Sequence, residues 1–255
     1  MGKIIALANQ KGGVGKTTTC INLCSALTGR GRKVLICDVD PQGNCTSGMG
    51  VDKSSSPNIY DVLVKSRPAA EAMVKTKYGS IIPSNRELSG ATVELVGMED
   101  REYVLKKALE PIRDSFDYIF IDCPPSLELL TLNALVAADS VLIPVQCEYF
   151  AMEGLTDLMT SIKMTKKRLN PDLEIEGLVM TMYDSRTKLS EQVKSEVENY
   201  FKEKTYKTLI PRNVRLSEAP SHGKPAIYYD RMSKGSRAYL RLANEFLKRQ
   251  NEMTG

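Results

Sequence analysis

Apolar runs alternate with amphipathic stretches along almost the whole chain. Lys3–Asn9 (KIIALAN) is a short apolar run that feeds a glycine-rich segment, and Thr17–Leu27 then reads as a helix. Lys33–Asp38 (KVLICD), Tyr118–Asp122 (YIFID), Ser140–Val145 and Leu178–Met182 are further strand-like runs, and the first two end in an acid. Between them, Val93–Ile112, Leu127–Ala138, Glu153–Leu169 and Leu189–Phe201 carry helical patterns, the first interrupted by charges at Glu99–Glu102. A last helix is predicted over Gly235–Gln250, where Tyr239, Leu242, Ala243, Phe246 and Leu247 fit a 3.6-residue period. Residues 43–58, rich in Gly, Ser and Asn, are expected to form a long loop, and Val51–Ser89 offers only generic helix–loop material. Strands that are apolar at every position must be covered on both faces. The alternation therefore predicts an α/β fold, a mostly parallel twisted sheet with helices on both faces. No internal repeat and no linker-like stretch divides the chain, so one domain is expected over residues 1–255.

The composition, 42% hydrophobic and 26% charged, is that of an ordinary globular protein and excludes collagen-like, coiled-coil and disordered classes. No apolar stretch approaches the roughly 18 residues of a membrane span, and the N-terminus lacks a signal-peptide cleavage site, so a cytoplasmic protein is expected. Six cysteines form no C-x-x-C pair and there is one histidine, a pattern without zinc-ligand spacing. The net charge of +4 is unevenly spread. Residues 201–255 carry 12 Lys and Arg against 5 Asp and Glu, whereas residues 1–200 carry 23 against 26. A basic segment of this kind is either a solvated face or a surface for phosphates.

Chemistry concentrates first at Gln10–Thr18 (QKGGVGKTT), between the first strand and the first helix. Glycines let backbone N–H groups turn toward phosphate oxygens, and the helix N-terminus adds its dipole. Lys16 reaches β- and γ-phosphates in such a loop, and the Thr17 hydroxyl binds Mg²⁺. Gly12, Gly13, Val14, Gly15, Lys16, Thr17 and Thr18 are thus candidate nucleotide-binding residues of a P-loop NTPase fold. The usual G-x-x-x-x-G-K-[ST] pattern has glycine where Gln10 stands, and a second lysine, Lys11, opens the loop.

Two further acidic signals lie at strand ends, where open α/β sheets place their ligands. Asp38 and Asp40 share one side of an extended chain, so one suits metal-bound water and the other an attacking water. An acidic turn before Pro41 would carry the same letters. Asp122 ends an apolar strand downstream of the P-loop, the position of an acid that holds Mg²⁺ through water. Candidate metal-site residues are therefore Thr17, Asp40 and Asp122.

The K-G-G-x-G-K-T loop resembles the deviant Walker A motif of the ParA/MinD ATPase superfamily. D-x-D-P-Q-G-N after the second strand resembles its first switch segment, and Pro124-Pro125-Ser126 its second. Pro144–Leu155, Ile210–Lys224 and Tyr229–Tyr239 resemble stretches of the chromosomal ParA, or Soj, proteins. The likeness runs from Met1 to about Leu247 and is weakest over Val51–Ser89. The resemblance implies ATP and ADP as ligands with Mg²⁺. It implies that Lys11 reaches across a homodimer to the partner's phosphates, with Lys16 and Asp40 completing the catalytic set and Asp40 positioning water. It also implies that Pro211, Arg212 and Asn213 line the adenine.

The family's partners would be non-specific double-stranded DNA and a ParB-type centromere-binding protein that stimulates hydrolysis, with a nucleoid-associated location. Because the first strand starts at residue 3, the N-terminal helix-turn-helix of longer plasmid relatives is expected to be absent. Candidate DNA contacts are Arg186, which matches a family D-x-R-T segment, and Lys188, Arg215, Lys224, Lys234, Arg237 and Arg241. The runner-up is a MinD-like membrane-associated division-site ATPase, which would need a C-terminal amphipathic helix. The polar ending after Leu247 (KRQNEMTG) opposes it, and no membrane partner is expected. A nitrogenase-type iron protein shares the loop, but Cys123 has no second cysteine in a matching position.

Overall fold

A computed structural model describes residues 2–149 and 151–254 of the chain. Its strands are β1 (Lys3–Leu7), β2 (Val34–Asp38), β3 (Val74–Thr76), β4 (Gly79–Ile82), β5 (Tyr118–Asp122), β6 (Ser140–Gln146) and β7 (Glu174–Thr181). They form one seven-stranded sheet in the order β3-β4-β2-β5-β1-β6-β7. Every pairing is parallel except that of β3, an antiparallel edge strand. The helices are α1 (Lys16–Thr28), α2 (Asn44–Gly48), α3 (Ile59–Leu63), α4 (Leu88–Val96), α5 (Val104–Leu109) and α6 (Leu129–Ala137). They continue with α7 (Ala151–Arg168), α8 (Lys188–Phe201), α9 (Val214–Glu218), α10 (Ala226–Tyr229) and α11 (Lys234–Thr254).

Alternate residues of each central strand enter opposite layers, as a period of two requires. Ile4, Ala6, Leu35, Cys37, Ile119 and Ile121 pack with residues of α3 to α8. Ile5, Leu7, Val34, Ile36, Tyr118 and Phe120 pack with residues of α1, α2 and α9 to α11. Both faces are thus covered, and this is why the strand sequences are apolar throughout. Parallel register sets Leu7 and Asp38 each beside Asp122, so the acidic strand ends meet at one edge of the sheet.

Two expectations are corrected. Residues 43–58 are not one long loop, because Asn44–Gly48 forms α2. Its sequence, NCTSG, consists of weak helix formers, and tertiary bonds to Asp38 hold it. Within Val51–Ser89 lies the β3–β4 hairpin, whose strands of three and four residues are too short to show a periodicity.

Candidate nucleotide site

The loop between β1 and α1 turns through Gly13 and Gly15, whose φ values of 74° and 90° lie in the left-handed region. Helix α1 starts directly after Gly15 with no side-chain cap and no acid in its first turn. Its leading N–H groups and positive dipole end therefore remain available to an anion. The loop is fastened from three sides. Lys11 N–H donates to Asn9 Oδ1 at 3.0 Å, Asn9 Nδ2 donates to the Pro144 carbonyl at 2.8 Å, and Thr181 Oγ1 donates to the Val14 carbonyl at 2.7 Å. Lys16 is buried and its Nζ donates to the carbonyls of Asn9 (2.9 Å) and Lys11 (3.1 Å). Burial lowers its pKa, and the Asp122 carboxylate opposes that shift.

The two strand-tip acids after β2 have separate tasks. Asp38 is fully buried and accepts from Thr46 N–H (2.8 Å), Thr46 Oγ1 (2.7 Å) and Asp40 N–H (3.2 Å). Burial pushes its carboxyl up to about 6, against the pull of the Thr46 bonds. Asp38 thus anchors α2 to the sheet. Asp40 accepts Gln42 N–H on Oδ1 (2.9 Å), and its carbonyl is held by Ser84 Oγ (2.8 Å). Asp122 Oδ2 accepts from Thr17 Oγ1 at 2.7 Å, while Oδ1 is buried without a hydrogen-bond partner. Burial, and then the Asp38 charge, raise the Asp122 carboxyl well above the usual range.

Beside the P-loop, Gly15, Thr18 and Thr181 share a cavity of about 300 Å³ with Pro211, Arg212 and Asn213. Asn213 Oδ1 is buried without a partner. Arg212 N–H donates to the Tyr183 carbonyl, which ties this segment to the end of β7. Lys11 Nζ lies 3.2 Å from Glu148 Oε2. Among the described residues, no group of three or more His, Cys, Asp or Glu is arranged to hold a metal ion by itself. Of the residues expected to meet a metal, Thr17 and Asp122 are brought into direct contact, and the Asp40 charge acts on Asp122.

The basic candidates divide. Lys234, Arg237 and Arg241 are exposed along α11 and line a cavity of about 280 Å³ with Tyr183 and Pro211. None of the three pairs with an acid among the described residues. Arg186 is turned onto Asp184 through bonds of 2.9 and 2.7 Å, and the guanidinium holds that carboxyl down at about 2. Arg215 is engaged by Glu218 (2.8 Å) and Asp230 (3.4 Å). Lys188 opens α8 and Lys224 follows the turn over residues 219–222, and both are exposed. Sequence reasoning missed Asn9, Thr46, Ser84, Glu148 and Thr181 as supports of the site. Asn9 adjoins the glycine loop and could have been found there, whereas the others act across more than thirty residues of chain or outside any local motif.

A family model described as an AAA domain matches residues 2–175. The sporulation initiation inhibitor protein Soj of Bacillus subtilis strain 168 is 55% identical over 248 residues, covering 96% of this chain and 98% of that protein. The chromosome partitioning protein ParA of Myxococcus xanthus is 52% identical over 252 residues, covering 98% and 89%. A solved structure of cobyrinic acid a,c-diamide synthase from Mycobacterium smegmatis, with bound ATP analogue and magnesium, superposes with a TM-score of 0.86. It shares 38% identity and covers 98% of this chain and 96% of that one. A parallel sheet that delivers a glycine loop, a helix N-terminus and two acidic strand tips to one edge is that of a P-loop NTPase. Within that class, the chain belongs to the ParA/Soj family of chromosome-partitioning ATPases. The family expected from the deviant loop is the one its relatives share.

Proposed function

We propose that the protein partitions DNA by cycling between an ATP-bound dimer on double-stranded DNA and a released form after hydrolysis. A ParB-type centromere-binding protein would trigger the hydrolysis. The carrying observation is the placement of two lysines at one uncapped helix N-terminus. Lys16 points inward to the loop carbonyls, whereas Lys11 lies at the loop's edge, about a third exposed, with an acid for company. An inward lysine serves the phosphates of its own subunit. An outward one suits the phosphates of a second copy, and its charge would counter that which develops in phosphoryl transfer.

The residues fit Mg²⁺ with ATP or ADP. Thr17 Oγ1 and the unpartnered Asp122 Oδ1 are the oxygens that would hold the hydrated ion. When bound, Mg²⁺ supplies neutralising charge to the phosphates. Asp40, fixed through its own carbonyl by Ser84, receives the attacking water and orients it. The unpaired Asn213 Oδ1 is an acceptor for the exocyclic amine of adenine. Lys234, Arg237 and Arg241 form a cationic strip suited to DNA phosphates without base readout, and the protein would be cytoplasmic and nucleoid-associated. The apolar positions of α11, Ala238, Tyr239, Leu242, Ala243 and Phe246, are buried in the core and are not free to lie in a bilayer. No described helix is long and apolar enough to cross a membrane.

Asp40→Ala tests this reading. Expected are retained ATP binding and dimerisation, turnover slowed by roughly 10²- to 10⁴-fold, and prolonged retention on DNA. Phosphate release and DNA co-sedimentation read the two effects. Normal turnover removes Asp40 from the chemistry. ATP-dependent binding to anionic liposomes with none to DNA overturns the partition reading in favour of a membrane ATPase.

A further inference from the structure

One carboxylate outside the P-loop and switch segments touches both halves of the nucleotide site. Glu148 lies in the loop between β6 and α7. Its Oε2 is 3.2 Å from Lys11 Nζ, and its Oε1 accepts from Gln146 Nε2 and stands 3.8 Å from Arg212 Nη2. Lys11 opens the phosphate loop, and Arg212 belongs to the segment that lines the base cavity. A lysine and an arginine from distant parts of the chain thus converge on one acid that its neighbour Gln146 also holds. Nothing in local sequence demands this, because Lys11 and Glu148 are 137 residues apart.

We propose that Glu148 is a positioning residue that holds Lys11 against its own subunit and releases it only to the γ-phosphate of an ATP-bound partner. The proposal rests on the reading that Lys11 acts across a dimer. One ammonium cannot serve Glu148 of its own subunit and a phosphate of the other at the same time. Dimer closure therefore breaks the Lys11–Glu148 pair twice, once in each copy. A nucleotide shifts such an equilibrium only by the difference in its interaction with the two states. ATP carries the terminal phosphate that compensates Lys11 for the lost carboxylate, and ADP does not. Glu148 thus sharpens discrimination between the two nucleotides at the step of assembly. The link to Arg212 extends the same acid to the base cavity, so an occupied cavity and a freed Lys11 are coupled through one side chain.

The pair is partly exposed, with side chains 35% and 42% accessible, so its strength is that of a surface ion pair. Such a pair is worth about threefold in an equilibrium, and two of them roughly tenfold in dimer association. The experiment is light scattering across a protein dilution series with Mg²⁺ and ATPγS or ADP. Wild type, Glu148→Gln, Glu148→Asp, Lys11→Ala and the Lys11→Ala/Glu148→Gln double variant are compared. Expected for Glu148→Gln is a dissociation constant with ATPγS about tenfold lower, with some dimer also appearing in ADP. Glu148→Asp keeps the charge and should lie nearer wild type. Lys11→Ala should fail to dimerise, and the added Glu148→Gln change should rescue nothing. Unchanged or weaker dimerisation of Glu148→Gln overturns the proposal while leaving the role of Lys11 intact. A gain from Glu148→Gln that persists without Lys11 overturns it as well. Wild-type dimerisation of Lys11→Ala instead overturns the reading on which the proposal stands.

Discussion

On the proposed reading, a single atom of Asn213 would decide which base the pocket accepts. Asn213 lines the cavity beside the P-loop, and its buried Oδ1 makes no hydrogen bond among the described residues. An acceptor left in that state costs free energy until a donor arrives. Adenine offers an amine at its sixth position, whereas guanine offers a carbonyl oxygen that would face Oδ1 and repel it. Asn213→Ala should therefore lower the preference for ATP over GTP by about tenfold, the worth of one buried hydrogen bond. Competition between the two nucleotides for a fluorescent analogue measures the ratio, and an unchanged ratio would assign base selection elsewhere. Residues of this kind separate what is legible in sequence from what is not. Lys16, Thr17 and Asp122 could be read because the chemistry of a phosphate loop is written in adjacent letters or at a strand tip. Thr181, Ser84 and Glu148 could not, because each acts on a residue that only the fold brings near.

Secondary elements locate the site, and α11 illustrates how one is held. Its apolar face packs against α1, where Thr19 Oγ1 and Tyr239 OH share a buried bond of 3.0 Å. Its outer side is tied to the 205–208 segment through Glu245, which accepts Lys207 N–H (2.7 Å), Thr208 N–H (2.9 Å) and Thr208 Oγ1 (2.7 Å). Burial pushes the Glu245 carboxyl up, but these bonds and Arg249 outweigh it and leave it below the usual value. A carboxyl depressed in the folded state adds stability above its unfolded pKa, and that stability is lost as pH falls through the folded value. Glu245→Gln should cost about 1–2 kcal/mol near neutral pH, since a neutral amide accepts these bonds more weakly. Urea denaturation at about pH 7 and about pH 3 checks the sign, and the gap between variant and wild type should close at the lower pH. A gap that is constant with pH would mean that the carboxylate charge is irrelevant. Helix α8 matched its sequence pattern closely because its periodicity spans fourteen residues, and β5 did so because it is an unbroken apolar run ended by an acid. Helix α3 was legible in principle from its Asn58–Asp61 capping box, yet its five residues carry too little periodicity to announce it. The β3–β4 hairpin and α2 exist only because the sheet edge and Asp38 supply partners.

At the scale of the whole molecule, the distribution of charge gains a geometry. The sum of +4 conceals a basic final segment, and on the folded chain three of its cations, Lys234, Arg237 and Arg241, run along α11 beside Pro211. The strip therefore adjoins the proposed base cavity, whose wall includes the same proline. Closure of two copies over their nucleotides would bring two strips into one assembly and double the number of phosphates neutralised. For duplex DNA the logarithm of affinity falls against the logarithm of salt with a slope of about −0.9 per phosphate contact. The slope with a non-hydrolysable ATP analogue should thus be roughly twice that with ADP. The partners of each arginine predict a further difference. Among the described residues Arg237 has no acid to leave, so Arg237→Ala should flatten the dimer slope by about 2, one contact per copy. Arg186 already has its charge met by Asp184 at 2.7 Å, and binding DNA through it would first require that pair to open. Arg186→Ala should consequently change the slope less than Arg237→Ala. Fluorescence anisotropy of a labelled duplex, titrated with KCl at fixed nucleotide, gives all of these slopes. If Arg186→Ala flattens the slope more than Arg237→Ala, the DNA surface is centred on the segment after β7 rather than on α11.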